Sequence, residues 1–208
     1  MTPIRDFLED SKPNVEYYLL VVGAAVIALV GVLIDNLVIL IASMIIAPLI
    51  KPILVASYGA MKRNKRHIIE STKTFLLSAL IVIAVSLIGI FLLRSIALPL
   101  DQRFFISFDV HPLASLIVAV IGGIFATLGV FSSRIESIIV GVGVAVSLMP
   151  PLVIIGAGLG LFWLDLVLTG LIILGLNIIG IFAGSVIMFF MINKNAFNLR
   201  RLLEQAEA

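Results

Sequence analysis

Four prolines interrupt long apolar stretches, in Ala47-Pro48-Leu49-Ile50-Lys51-Pro52 and in Met149-Pro150-Pro151-Leu152. Proline lacks an amide hydrogen, and its ring clashes with the carbonyl four residues earlier. In hydrocarbon nothing replaces the lost hydrogen bond, so such a break persists only inside protein or beside a water-filled cavity. Pro48 and Pro52 take the helical donors from the carbonyls of Met44 and Pro48, and Pro150 and Pro151 do the same for Val146 and Ser147. Where a helix opens into two halves, carbonyl ends face amide ends, giving a place for a cation beside a place for an anion. Ser43, Ser57, Ser86 and Ser147 add hydroxyls, and Asn177 adds an amide near the centre of its stretch. A serine in a helix more often bonds back to its own backbone, whereas a central amide in lipid needs a partner on another helix.

Lys51 is the sharpest single residue. It stands between the two prolines of the first break, with no Asp or Glu at comparable depth. A lysine there costs about 2.5 to 3.5 kcal/mol on insertion scales. Its ammonium must meet freed carbonyls, water, a bound anion or a partner chain, lose its proton, or snorkel along the broken helix to the inner surface. The residues expected to hold a small solute or ion are therefore Ser43, Met44, Pro48, Lys51, Pro52, Val146, Ser147, Pro150, Pro151 and Asn177. Enzyme chemistry is not expected. The chain has no cysteine, His67 and His111 fall in loops, and no carboxylate pair or Ser/His set shares one depth. No cofactor is implied. Asp101, Asp109 and His111 offer an outer cation site at best, and three such residues in a loop are more often merely solvated.

The elements that position these residues are membrane helices. The 208-residue chain is 62% hydrophobic and 12% charged, with a mean hydropathy of +1.26, against about 25% charged residues in soluble domains. This is one membrane domain. Its net charge of +2 is concentrated in one loop, which argues for orientation in a bilayer and against nucleic acid. No cleavable signal is visible in the charged first fourteen residues.

Charged and turn-forming residues divide the chain into six spans: Tyr17 to Ile34, Leu37 to Met61, Thr74 to Ile96, Leu113 to Phe131, Ile138 to Phe162, and Leu164 to Ile192. Each is long enough to cross a hydrocarbon core of about 30 Å. With the N-terminus cytoplasmic, eleven Lys and Arg lie inside, Arg94 and Arg103 lie outside, and Lys51 lies within the bilayer. That asymmetry predicts a multi-pass protein of the cytoplasmic (plasma) membrane with both termini cytoplasmic. Residues 1–14 read as an interfacial helix, with Ile4, Phe7 and Leu8 on one face. Residues 195–208 read as a cytoplasmic helix capped by Asn195, with Leu199, Leu202 and Leu203 on one face. Phe104, Phe105 and Phe108 make the outer segment apolar enough to lie on the membrane or plug a vestibule.

Divided after the third span, the chain gives two halves, 17–96 and 113–192. Each reads as a helix, a proline-broken helix and a third helix. Three is odd, so the halves enter the membrane from opposite sides. The expected fold is thus an all-α bundle of six transmembrane helices in a 3+3 inverted repeat, its second and fifth helices broken by prolines. Many secondary transporters share that plan. Small residues at i, i+4 (Ala24 and Ala28, Gly156 and Gly160, Gly180 and Gly184) and the pair Gly122-Gly123 suit close helix packing.

The first break follows Ser-Met-Ile-Ile, and the second is Ser-Leu-Met-Pro-Pro-Leu. Together they resemble domain-of-unknown-function family 389, over most of the chain from about Val21 to about Gly184. The resemblance implies membrane localisation and fold, with no established substrate. The position between the first prolines is often glycine in that family, so Lys51 is a departure. The favoured function is a transporter or channel for a small solute or ion, with its site between the two proline-broken helices near the bilayer midplane, acting as a homo-oligomer because six short spans enclose little volume. The alternative is a structural or regulatory membrane subunit whose breaks only allow tight packing.

Overall fold

The computed structural model describes residues 3–95, 112–131 and 148–194. Among them are eight helices and no strand: α1 (Pro3–Asp10), α2 (Val15–Leu33), α3 (Leu37–Ile46), α4 (Ile50–Met61), α5 (Lys65–Ser95), α6 (Pro112–Gly129), α7 (Met149–Leu161) and α8 (Leu164–Lys194). Asparagines open three of them. Asn14 accepts from the Tyr17 amide at 2.8 Å, Asn36 from Val38 and Ile39 at 3.0 and 3.2 Å, and Asn64 from Arg66 at 3.1 Å. Each bond satisfies an amide that a helix start would otherwise leave without a partner.

Three tight turns share one closure. Asp35, Arg63 and Phe162 are left-handed, with φ of 50, 54 and 60°. The following amide then reaches back five residues: Asn36 to the Gly31 carbonyl and Asn64 to Gly59, both at 2.8 Å, and Trp163 to Gly158 at 2.9 Å. This is the Schellman arrangement that ends many helices. The next helix crosses directly over the glycine. A Cβ on Gly59 would lie 2.9 Å from His67 Cβ, and one on Gly158 would lie 2.8 Å from Val167 Cγ2.

Two of the hairpins match at a spacing of 99 residues. Ile50 and Met149 open the short helices α4 and α7, and Pro52 and Pro151 stand third in them. Gly59 and Gly158 precede the turns, and Lys65 and Leu164 begin helices of 31 residues each. The hairpins lie head to tail. Arg94 Nη1, at the end of α5, donates to the Gly160 carbonyl at the end of α7 (3.1 Å), and Lys62 Nζ, in the α4–α5 turn, donates to Asn193 Oδ1 near the end of α8 (3.0 Å). One end of the bundle therefore gathers the α4–α5 turn and the end of α8, and the other gathers the α7–α8 turn and the end of α5.

Small residues set the helix spacing. Lipid gives helices no hydrophobic reason to associate, so packing and hydrogen bonds must supply it. Gly180 and Gly184 of α8 press on Ala119 and Val120 of α6, Gly123 of α6 presses on the Ile181 backbone, and Gly156 and Gly160 of α7 press on α5. At the centre, every residue of α7 from Met149 to Gly158 is buried. An enclosed helix has no lipid-facing side and needs no polar face.

Four helices, α2, α5, α6 and α8, are long and apolar enough to cross a membrane, and α3 with α4 makes a fifth candidate bent by 49°. The chain is a multi-pass membrane protein. The expected second span, Leu37 to Met61, coincides with α3 plus α4. Of the expected fifth span only α7 is described, and its 13 residues reach about 20 Å at 1.5 Å per residue. Helix α5 begins nine residues before the expected Thr74, because Asn64 caps it and its charged turns continue as helix beyond the apolar stretch. His67, expected in a loop, is consequently on a helix. Helix α1 occupies Pro3–Asp10 of the expected 1–14 segment, and its apolar face is seated on the protein, with Phe7 buried and Ile4 packed on the core. The expected outer segment with Phe104, Phe105 and Phe108, the Asp101, Asp109 and His111 group, and the C-terminal helix from Asn195 with Leu199, Leu202 and Leu203 lie outside the described residues.

Candidate functional site

The first break spans Ala47 to Leu49. Ala47 is extended (φ −72°, ψ 120°), which suits a residue before proline, and its amide still closes α3 on the Ser43 carbonyl at 3.1 Å. Pro48 is half-buried in the gap. Pro52 falls in the first turn of α4, where a helix does not use the amide that proline lacks. In the same way Pro150 and Pro151 start α7. The prolines thus act as helix starts as much as helix breaks.

A half-open cavity of about 320 Å³, with charged and hydroxyl side chains set in a mostly apolar lining, abuts the first of these starts. Its floor is Pro52 and Val55 of α4. One side comes from α1 and the turn after it (Arg5, Glu9, Ser11, Lys12), and the other from α5 (His67, Glu70, Ser71, Thr74). Pro52 is nine residues from the last residue of α4, or about 14 Å along the helix axis. The hydroxyl hydrogens around it are taken. Ser11 donates to the Phe7 carbonyl at 2.7 Å, Ser71 to His67 at 2.5 Å, and Thr74 to Glu70 at 3.0 Å. Glu70 is held by Arg66 at 2.7 Å.

The matching place on the second hairpin is filled. Ser71, on the cavity, corresponds to Gly170, where a Cβ would lie 2.9 Å from the Pro151 carbonyl oxygen and 2.7 Å from Ile155 Cγ1. Met149, Pro150, Pro151, Leu152 and Val153 are all buried there.

The expected site residues fall as follows. Ser43 is buried and its hydroxyl returns to the Leu40 carbonyl at 2.6 Å, and Met44 beside it is buried. Lys51 is half-buried, with no ion pair to any described residue. Pro52 lines the cavity, while Pro150 and Pro151 sit in the enclosed start of α7. Val146 and Ser147 lie outside the described residues. Asn177 is buried in α8, and its Oδ1 accepts from Ser115 of α6 at 3.2 Å. Of the accessory serines, Ser57 returns to Ile53 at 2.8 Å, and Ser86 Oγ is buried with no hydrogen-bond partner among the described residues. Helix α3 touches α7 only lightly, and the two proline starts are tied chiefly through α5 and α8, on which both α4 and α7 pack.

Several polar groups have no obvious mark in the sequence. Tyr17 of α2 and Ser78 of α5 share a hydrogen bond at 3.1 Å. Thr127 and Ser185 both donate to the Gly123 carbonyl, at 2.9 and 3.1 Å, tying α6 to α8. The cavity residues on α5, His67, Ser71 and Thr74, do recur at three- and four-residue steps, the spacing of one helix face. That signal becomes readable only once α5 is known to start at Lys65.

Among known proteins, the model of a domain of unknown function, DUF389, matches residues 44–183. An uncharacterized protein of Methanocaldococcus jannaschii is 32% identical over 186 residues, which cover 88% of this chain and 55% of the relative. The chain thus spans about half the length of that relative. No solved structure matches. A match over residues 44–183, both proline starts included, places the chain in the DUF389 family, whose function is unknown.

Proposed function

We propose that the protein is a membrane transporter or channel for a small solute or ion, with its site where α4 begins. The single observation that carries this reading is the half-open cavity that charged and hydroxyl side chains of α1 and α5 line beside Pro52 and Val55 of α4. A packing-only role gives no reason for a polar space reaching an interrupted helix, since unfilled space forfeits contacts. Lys51 stands one residue before that floor without a counter-charge among the described residues, but it is not one of the residues that line the cavity.

The reading takes the chain as six spans in a 3+3 inverted repeat, the second and fifth interrupted at Pro48 to Pro52 and at Pro150 to Pro151. The 99-residue spacing of the two hairpins and their head-to-tail bonds support it. So do two polar links in matching places. Ser78 joins α5 to Tyr17 of α2, and Asn177, 99 residues after Ser78, joins α8 to Ser115 of α6. An open cavity at one hairpin and a filled one at the other is what a site reached from one side at a time requires. The protein acts in the cytoplasmic membrane with both termini inside, as a homo-oligomer, since one small bundle encloses little volume.

The test is flux in proteoliposomes. Because the chain has no cysteine, Val55→Cys places a single thiol on the cavity wall. Solute-dependent flux that stops when this thiol is alkylated, and that changes in Lys51→Met, supports the reading. A protein with no flux for any of a broad panel of ions, amino acids and phosphorylated solutes, and one that purifies only with another subunit, favours the structural alternative.

A further inference from the structure

The cavity walls are divided by hydrogen-bonding sense. Ser11, Ser71 and Thr74 are buried, and each has its only hydroxyl hydrogen on a carbonyl of its own helix. A hydroxyl so engaged offers only lone pairs, so these three accept and do not donate, while half-buried His67 on the same wall can do either. The outer rim carries Arg5 and Lys12, both exposed donors without acceptor capacity, beside the carboxylates of Glu9 and of Glu70, the latter already held by Arg66. The floor, Pro52 and Val55, contributes no side-chain polar group. A ligand that satisfies these walls brings N–H donors to the inner end and an anion to the rim. A volume of about 320 Å³ suits a group of several heavy atoms, at the lower end of small-molecule sites. A bare metal cation would leave most of that space unfilled.

We propose that the cavity beneath α1 binds a small zwitterion, a primary ammonium with a phosphate or carboxylate a few bonds away, ammonium inward. This rests on the cavity being the entrance to the route described above, but it is a statement about binding and is tested as such. The same chemistry is carried by free small solutes and by the ethanolamine headgroup of a phospholipid.

The experiment uses the full chain in nanodiscs of phosphatidylcholine, titrated calorimetrically with O-phosphoethanolamine, O-phosphocholine and inorganic phosphate. O-phosphoethanolamine should bind about tenfold more tightly than the other two, because only it brings N–H donors to the acceptor wall. Thr74→Val, which keeps the volume and removes the oxygen, should weaken that binding about five- to tenfold, and Thr74→Ser should restore it. In nanodiscs of mixed phosphatidylethanolamine and phosphatidylcholine, native mass spectrometry reads retention of the ethanolamine lipid. Selective binding of the free compound supports a soluble ligand, and selective lipid retention lost in Thr74→Val supports a headgroup. Equal binding of all three probes shows a merely basic rim and overturns the proposal, as does absence of saturable binding in both arms. Selective binding without proteoliposome flux leaves this site standing and removes the transport reading, while flux without selective binding does the reverse.

Discussion

Gly156→Ala is the sharpest test of how α7 is enclosed. A Cβ at Gly156 would lie 2.5 Å from the Ile83 carbonyl oxygen, 2.6 Å from Ser86 Cβ and 3.2 Å from the Ile83 carbonyl carbon, where ordinary contact begins near 3.4 Å. All three atoms are backbone or Cβ, so no side-chain rotation relieves the clash. Helices α5 and α7 must part by about 0.9 Å near this point, and a gap of that order forfeits a quarter to a half of each affected contact. Overpacking of this kind costs roughly 1 to 3 kcal/mol, offset by about 0.5 to 1 kcal/mol from replacing a helical glycine by alanine. We expect a net loss near 2 kcal/mol at the upper part of that range. The control is Gly175→Ala on α8, which meets nothing within 4 Å and should gain about 0.5 to 1 kcal/mol. Equilibrium unfolding in mixed micelles, read from Trp163, the single tryptophan, measures both. If the two variants unfold alike, α5 and α7 are not in close contact, and the enclosed hairpin described above is wrong.

Four further outcomes follow from other parts of the fold. A double-mutant cycle of Ser115→Ala with Asn177→Ala should give a coupling of about 0.6 to 1.7 kcal/mol, the range for hydrogen bonds between membrane helices, and zero coupling would deny the α6–α8 link. Phe162→Gly should stabilise by about 1 kcal/mol, because Phe162 is left-handed and 86% exposed, so strain is relieved with little packing lost; a lower midpoint in the same unfolding assay would contradict this. Ser86→Ala should be neutral or stabilising by about 1 kcal/mol, since its buried hydroxyl has no partner among the described residues, and a clear loss of stability would mean that the hydroxyl is engaged. Single cysteines at Arg63 and at Phe162, in the two matching turns, should be labelled by membrane-impermeant thiol reagents from opposite sides of sealed vesicles. Labelling from one side only would remove the head-to-tail arrangement.

Local chemistry sets what the chain alone reveals. The apolar span from Leu37 to Met61 and the interruptions at Pro48 to Pro52 and at Pro150 to Pro151 depend on residues adjacent in sequence, where a missing amide acts within one turn. Hydropathy likewise marks which segments prefer lipid before any tertiary contact exists. The small-residue steps in α7 and α8 were also readable, because their spacing alone places them on one face. Tertiary structure decided the rest. That Tyr17 meets Ser78 and Ser115 meets Asn177 depends on which helix faces turn toward each other across more than sixty residues, and no local pattern encodes that. The cavity depends on α1 lying across the gap between α4 and α5, because Phe7 is held in the core. Ser71 opens one proline start and Gly170 closes the other for the same reason: a serine and a glycine read alike as small residues until the neighbouring helix fixes how much space each leaves.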